Sequence, residues 1–292
     1  MMNSTATNIG LEKKVKKYYD KNTPIFIKVG RTKESKNIHR LVWADGVKTD
    51  AEAMNYVNKL ILDEIGTIPF AKDTNLMDLG CDVGAPIFYL AEKYPNAHYT
   101  GISISSVQIQ IATELKNKTE SNCSCTFIEA DFHKLPTLPK QDIIFLVEAF
   151  VHSNNPKKLF EEISTNLKPG GKLIICDDFR ANRKHKFSKT KEVQVLKNYI
   201  SGWHAGSLLS ANKVEELALA SGMKLTENRN LTQYLNLWTI RDRFAHISLF
   251  FYKLLPFKSI YMESIKGGDA LQLALMKGLI NYRFLVFTKQ TE

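Results

Sequence analysis

From residue 75 to residue 180 the chain keeps changing its hydrophobic period. NLMDL is apolar enough for a buried strand, GCDVGA interrupts it, and an apolar run at helical spacing predicts a helix over 86–94. AHYTGIS then reads as a strand, SVQIQIATELKNK as a helix, CTFIEA and DIIFLVEA as strands, and PKKLFEEISTNL as a helix. Beyond KPGG comes the strand KLIICDDF. Strands alternating with helices of this length predict right-handed crossovers and a parallel sheet covered on both faces. Ligands of such sheets sit beyond the carboxyl ends of the strands, and the glycine turn at Gly80 lies at such an end.

The flanking segments have their own patterns. AEAMNYVNKLILDEIG carries apolar positions at helical spacing, and SGWHAGSLLSANKVEELALASGMKLTE reads as a loop, an amphipathic helix and an edge strand. NYRFLVFTK, β-branched and aromatic, is the final strand. Before it, a mostly apolar helical insertion at about 236–275 is compatible with a pocket wall, packed core or a homo-oligomer face. The expected layout is a flexible stretch at 1–10, a helical cap or lid at 11–70, and an α/β domain at 71–292.

Composition narrows the function classes. A chain of 292 residues with 44% hydrophobic content can bury one large core. HISLFFYKLLPF, the nearest approach to a membrane span, is broken by Lys253 and Pro256, and MMNSTATNIGLEKK lacks the apolar core of a signal peptide. A cytoplasmic location is expected. Cys81, Cys123, Cys125 and Cys176 make neither a disulfide framework nor a C-x-x-C zinc pair, so Cys123 and Cys125 are read as structural. The net charge of +10 suits nucleic acid, anionic lipid, a phosphorylated small molecule, or solubility alone. Its lysines are scattered through KKVKK and RANRKHKFSK without an aromatic platform, which ranks nucleic acid last.

The glycine turn is not a dinucleotide fingerprint, because Asp82 stands where the second glycine of G-x-G-x-x-G belongs. The ordered set D-L-G-C-D-V-G, TGISISSVQ, EADF, LVEAFVH and LKPGG, over roughly residues 75–180, resembles the class I S-adenosylmethionine-dependent methyltransferases. The resemblance implies a Rossmann-like, seven-stranded, mostly parallel sheet with helices on both faces. It also implies S-adenosylmethionine as cofactor, a ligand without a phosphate, for which the turn need not be a full anion nest. Gly80 would let the backbone approach the methionyl group, and Asp78 would orient its ammonium. Gly84 belongs to the same turn. GISISSVQ is similar to the pattern of the cyclopropane-lipid, sterol and prenyl-diphosphate C-methyltransferases, which implies that Ser103, Ile104 and Gln108 take the adenosine. By the same resemblance Asp131 accepts from the adenine amino group and Phe132 packs on the ring. An exposed helical glutamine and an exposed loop aspartate are the plainer readings of Gln108 and Asp131.

Upstream, KKYYDKNTPIFIKVG and KNIHRLVWADGV look like the cap of bacterial prenyl-diphosphate C-methyltransferases. That likeness implies a substrate-binding role for Tyr18, Tyr19, Asp20, His39 and Trp43, with Asp20 and His39 near a magnesium ion that holds the diphosphate. Asp20 stands where that group has asparagine, and His39 is a single histidine followed by Arg40. Arg180, Arg183 and Lys184 lie where an anionic head could be met. Glu148 emerges from the strand IIFLV, and the resemblance implies that it is the base that deprotonates a carbocation; ordering its loop or bonding His152 is the alternative. Glu148-Ala149-Phe150-Val151 replaces the N-P-P-Y type tetrapeptide of base-modifying amino-methyltransferases. The expected reaction is methyl transfer to an alkene carbon of a prenyl diphosphate, with O- or N-methylation of another small metabolite as the alternative.

Overall fold

The computed structural model describes residues 3–29, 39–68, 74–118, 123–182, 190–252 and 260–291. One sheet contains β1 (Asn75–Leu79), β2 (His98–Ser103), β3 (Ser124–Glu129), β4 (Gln141–Val147), β5 (Leu167–Arg180), β6 (Met223–Asn230) and β7 (Ile280–Lys289). Their order is β3-β2-β1-β4-β5-β7-β6. The first five strands pair in parallel, and β7 runs antiparallel between β5 and β6. The chain reverses its direction of travel across the sheet between β1 and β4, so a crevice opens beyond their carboxyl ends.

The helices are α1 (Asn3–Val29), α2 (Asp50–Ile65), α3 (Ala85–Lys93), α4 (Ser106–Lys118), α5 (Pro156–Asn166), α6 (Thr190–Gly202), α7 (Ala211–Ala220), α8 (Ile240–Tyr252) and α9 (Ile260–Met276). Period-2 alternation on β4 feeds two cores. Ile143, Phe145 and Val147 pack with Val57, Ile61 and Ile87 on one face, while Ile144 and Leu146 pack with Leu159, Phe160 and Val214 on the other. Burial on both faces explains why β4 reads as a continuous apolar run. A capping box starts α2: the Thr49 side chain accepts from the Glu52 amide, and the Glu52 carboxylate accepts from the Thr49 amide.

Several expectations are corrected. Helix α1 begins at Asn3, inside the stretch 1–10 that the sequence reading set apart as flexible. KPGG, placed ahead of the fifth strand in the sequence reading, lies within β5, where Leu167 pairs with Gln141 before the register shifts to Ile143 opposite Lys172. Helix α6 has no counterpart among the elements read from the hydrophobic pattern. Cys123 and Cys125 are paired as a disulfide. The insertion is present as α8 and α9, and among the described residues no helix is long and apolar enough to cross a membrane.

The insertion is positioned by glycine. A Cβ on Gly202 would lie 2.6 Å from the Gly267 Cα, and one on Gly267 would collide with the Trp203 ring, so α6 and α9 cross with almost no side chain between them. This crossing brings Trp203, Ser264 and Gly268 to the cavity described below. Gly267→Val should therefore lower stability by about 1–3 kcal/mol, the usual cost of overpacking. Gly268→Ala, whose Cβ has its nearest neighbour at 3.8 Å, should leave the thermal midpoint nearly unchanged. Thermal unfolding of the two variants side by side checks this, and equal midpoints would mean that the crossing is not tightly packed.

Candidate functional site

The carboxyl ends of β1 to β5 open on a cavity of about 630 Å³, closed from above by α1, the segment around Arg40, and the α8–α9 insertion. Its floor begins with the turn after β1. Gly80 has φ +85°, a region that a side chain disfavours, and an added Cβ would collide with Ala149. Asp78 is buried behind the turn, and its Oδ2 has no hydrogen-bond partner. Burial first, and then the Asp82 charge, push its pKa well above the ordinary carboxylate range. Gly84, which caps α3, serves packing: a Cβ there would meet the Phe127 ring at 2.7 Å.

Beside this turn lies a connected polar set. Ser103 Oγ donates to Gln108 Oε1 at 2.6 Å, and Gln108 Nε2 donates to Asp82 Oδ1 at 2.6 Å and to Thr23 Oγ1 at 3.2 Å. Gln108 is thus buried, and the reading of it as an exposed helical residue is set aside. Asp82 is raised to about 7, chiefly by burial, with the Val83 amide and Gln108 opposing. Ile104 lines the cavity, and its carbonyl accepts from Lys16 at 3.1 Å. Asp131 Oδ1 accepts from the His133 amide at 2.9 Å and lies 2.8 Å from its ring Nδ1. Burial pushes Asp131 upward, but these bonds outweigh it and its pKa falls below the ordinary value. The Phe132 ring packs against His133, with centroids 4.7 Å apart.

The opposite wall contains groups that the sequence did not single out. Arg40 Nη1 and Nη2 donate to Asp178 Oδ1 and Oδ2 at 2.7 Å each, and Tyr199 Oη donates to the same carboxylate at 2.8 Å. The Arg40 guanidinium lies 4.7 Å from the Tyr282 ring centre and 5.9 Å from that of Trp203. Glu148, with φ 52°, follows β4 directly; its Oε1 accepts from the Arg40 amide and from Tyr282 Oη, both at 3.0 Å. A glutamate held at positive φ is strained, and such strain collects at functional sites. Asp177 accepts from the Val151 and Asp178 amides at 2.9 and 2.7 Å, and is raised to about 8 by burial and then by Asp178.

Helix α1 reaches this wall through Tyr19, whose hydroxyl is 2.7 Å from His152 Nε2. Burial lowers His152 to about 4. The ring is therefore neutral near pH 7, and with Nδ1 turned to the His204 carbonyl at 3.4 Å, Nε2 accepts from Tyr19. Its partner is thus Tyr19 rather than Glu148. Tyr18 stands edge-on to Tyr19, with centroids 5.2 Å apart, and both line the cavity together with His39. Burial lowers the pKa of His39.

Other expected residues lie elsewhere. Asp20 is not on the cavity wall; its Oδ1 accepts from Ser105 Oγ at 2.6 Å, and its carboxylate is 3.8 Å from Lys16 Nζ. Trp43 is also off the wall, its amide donating to the Tyr234 carbonyl at 2.7 Å. Arg180 is exposed at the end of β5, and Arg183 and Lys184 lie outside the described residues. Among the described residues no group of three metal donors contains Asp20 or His39. Among the described residues the one group with that geometry is Glu12, Asp131 and His133, in which His133 also bonds Ser153.

The orphaned Asp78 oxygen, the turn that admits no Cβ and the adjoining Ser103–Gln108–Asp82 set fit a ligand with an ammonium group and hydroxyls, as S-adenosylmethionine is. Comparisons with known proteins agree. The chain is 31% identical over 157 residues to cycloartenol-C-24-methyltransferase 1 of Oryza sativa subsp. japonica, covering 53% of this chain and 43% of that protein. It therefore spans less than half the length of that relative. In fold it is similar to the mycolic acid cyclopropane synthase CmaA1 complexed with SAH and CTAB, with a TM-score of 0.77 at 19% identity over 95% of this chain and 98% of that one. It is also similar to geranyl diphosphate methyltransferase in complex with GPP and sinefungin, with a TM-score of 0.72 at 13% identity over 96% and 99%. A family profile described as "Methyltransferase domain" matches residues 70–234, more than half of the chain, which belongs to the class I S-adenosylmethionine-dependent methyltransferases.

Proposed function

We propose that the protein methylates an alkene carbon of an apolar, isoprenoid-like acceptor, and that Glu148 removes the proton that this reaction must release. The observation that carries the reading is the position of Glu148, a carboxylate at the end of β4 on the wall of a cavity that also contains the cofactor turn and the rings of Tyr18, Tyr19 and Trp203. When bound, S-adenosylmethionine supplies an electrophilic methyl group. Gly80 gives its methionyl part room, Asp82 on the wall meets its ammonium with Asp78 buried behind it, and Gln108 and Asp131 are the candidates for ribose and adenine. Addition of a methyl cation to an alkene leaves the neighbouring carbon cationic. Aromatic faces and the ionised Glu148 stabilise such a centre in a site that excludes water. The Arg40 amide and Tyr282 hydroxyl fix one Glu148 oxygen and leave Oε2 3.8 Å from Arg40 Nε.

The diphosphate head expected from the sequence finds less support. Among the described residues the cavity wall carries eight carboxyl groups, of which burial raises Asp82 to about 7 and Asp177 to about 8, against two guanidinium groups, Arg40 and Arg241. Arg40 is already engaged by Asp178 and Glu148. An added dianion would be opposed by this balance, whereas a neutral head would not. We therefore favour an acceptor with an uncharged head.

Three outcomes test this reading. By calorimetry Gly80→Val should abolish S-adenosylmethionine binding, and Gln108→Ala should weaken it by about 1–3 kcal/mol for the buried partners it strands. Wild-type affinity in the Gly80 variant would remove the cofactor from this turn. Glu148→Gln should keep cofactor affinity but lose turnover by about 10²-fold or more, as for a positioned general base. An unchanged rate with the same alkene product would exclude it. Finally, incubation with labelled S-adenosylmethionine and matched prenols and prenyl diphosphates, with and without EDTA and resolved by mass, should favour the prenols. Selective turnover of diphosphates that EDTA abolishes would restore the magnesium-dependent reading, and methylated heteroatoms would point to an O- or N-methyltransferase.

A further inference from the structure

Helix α8 has two apolar faces, and only one of them is covered. Leu249 is buried and Ala245 half-buried on the face turned toward the body of the protein. On the other side Ile240, Phe244 and Ile247 are 73%, 69% and 54% exposed. Their i, i+4, i+7 spacing confines them to an arc of about 60° at 100° per residue. At the same pitch Arg241 and Arg243, both exposed, flank this stripe on its two sides. His246 Nδ1 lies 2.7 Å from Asp269 Oδ1, which ties α8 to α9 and fixes which way the stripe faces.

We propose that this outer face of α8 seats the protein on the surface of an anionic lipid bilayer. Three large apolar side chains suit the boundary between headgroups and acyl chains, and flanking arginines at the same level meet lipid phosphates. The net charge of +10 on the whole chain favours the same partner by long-range attraction. Position adds a third argument. Arg241, Asp242 and Ala245 of this helix line the cavity wall, so the seated face and the wall of the site belong to one element. An apolar acceptor would then pass from the bilayer into the cavity along α8. Only this passage rests on the proposed reaction; the seating stands on the exposed stripe and the charge beside it.

Vesicle flotation of the full chain tests the proposal. The wild type should float with vesicles containing phosphatidylglycerol and remain at the bottom with pure phosphatidylcholine vesicles, and added salt should weaken the binding. The triple variant Ile240→Ser, Phe244→Ser, Ile247→Ser should lose partitioning by at least about tenfold. Phe244→Ser alone and Arg243→Gln should each give a smaller loss. S-adenosylmethionine affinity, measured by calorimetry, should be unchanged in all three variants. That control reports folding and separates failure of the docking surface from failure of the methyltransferase reading. Absence of wild-type flotation with anionic vesicles would overturn the proposal, as would flotation unaffected by both the triple and the single substitutions. A wild-type dimer in sedimentation that the triple variant converts to monomer, without flotation, would assign the face to a second copy of the chain instead.

Discussion

The bidentate pair of Arg40 and Asp178 governs the geometry of this site. Asp178 is fully buried at the end of β5 and receives both Arg40 nitrogens at 2.7 Å together with the Tyr199 hydroxyl. Burial opposes the charge on Arg40, but Asp178 and then Glu148 outweigh it and raise its pKa well above the ordinary value. Such a pair gains little over an apolar alternative, yet removal of one partner leaves a stranded charge at a cost of about 3–5 kcal/mol. Its value here is positional. The pair fixes residue 40 over the sheet, and from there the Arg40 amide holds Glu148 while its guanidinium stacks between Tyr282 and Trp203.

Two further ties complete the enclosure from the side of α1. Tyr19 bonds a His152 that burial keeps neutral, and Asp20 bonds Ser105 beside the cofactor set. The Asp20 carboxylate, which the sequence offered as a metal donor, thus holds the lid helix against the start of α4. Lys16 adds bonds to the Ile104 carbonyl and to Glu129. The helix that covers the cavity is therefore fastened to the same strand ends that would hold the cofactor, so closure of the cavity and order at the cofactor site depend on the same contacts.

The described wall of the cavity is rich in carboxyl groups although the chain is basic. A chain of net charge +10 carries mostly carboxyl groups on the described wall of its site. The whole-chain value fits the anionic head that the family resemblance implied, but at close range the groups on the wall decide. The excess cations lie mainly outside this wall, where they act on larger partners through the long-range field.

The sequence alone determined what depends on neighbouring residues. Strand and helix order came from hydrophobic period, the glycine turn from Gly80 at a strand end, the expected cofactor role of Gln108 from the family resemblance of GISISSVQ, and the emergence of Glu148 from the apolar run before it. Each of these features is written within a dozen residues. Only the tertiary structure decided the contacts made across the chain: Arg40 with Asp178 at a separation of 138 residues, Tyr282 with Glu148 at 134, and Tyr19 with His152 at 133. No local period encodes such pairs, because they depend on which strands become neighbours and on how the cap docks over them. The same is true of the Gly202–Gly267 crossing, where the absence of side chains acquires meaning only when two helices meet. Hydrophobic period acts between residues a few positions apart, whereas a buried ion pair needs two distant segments already in place.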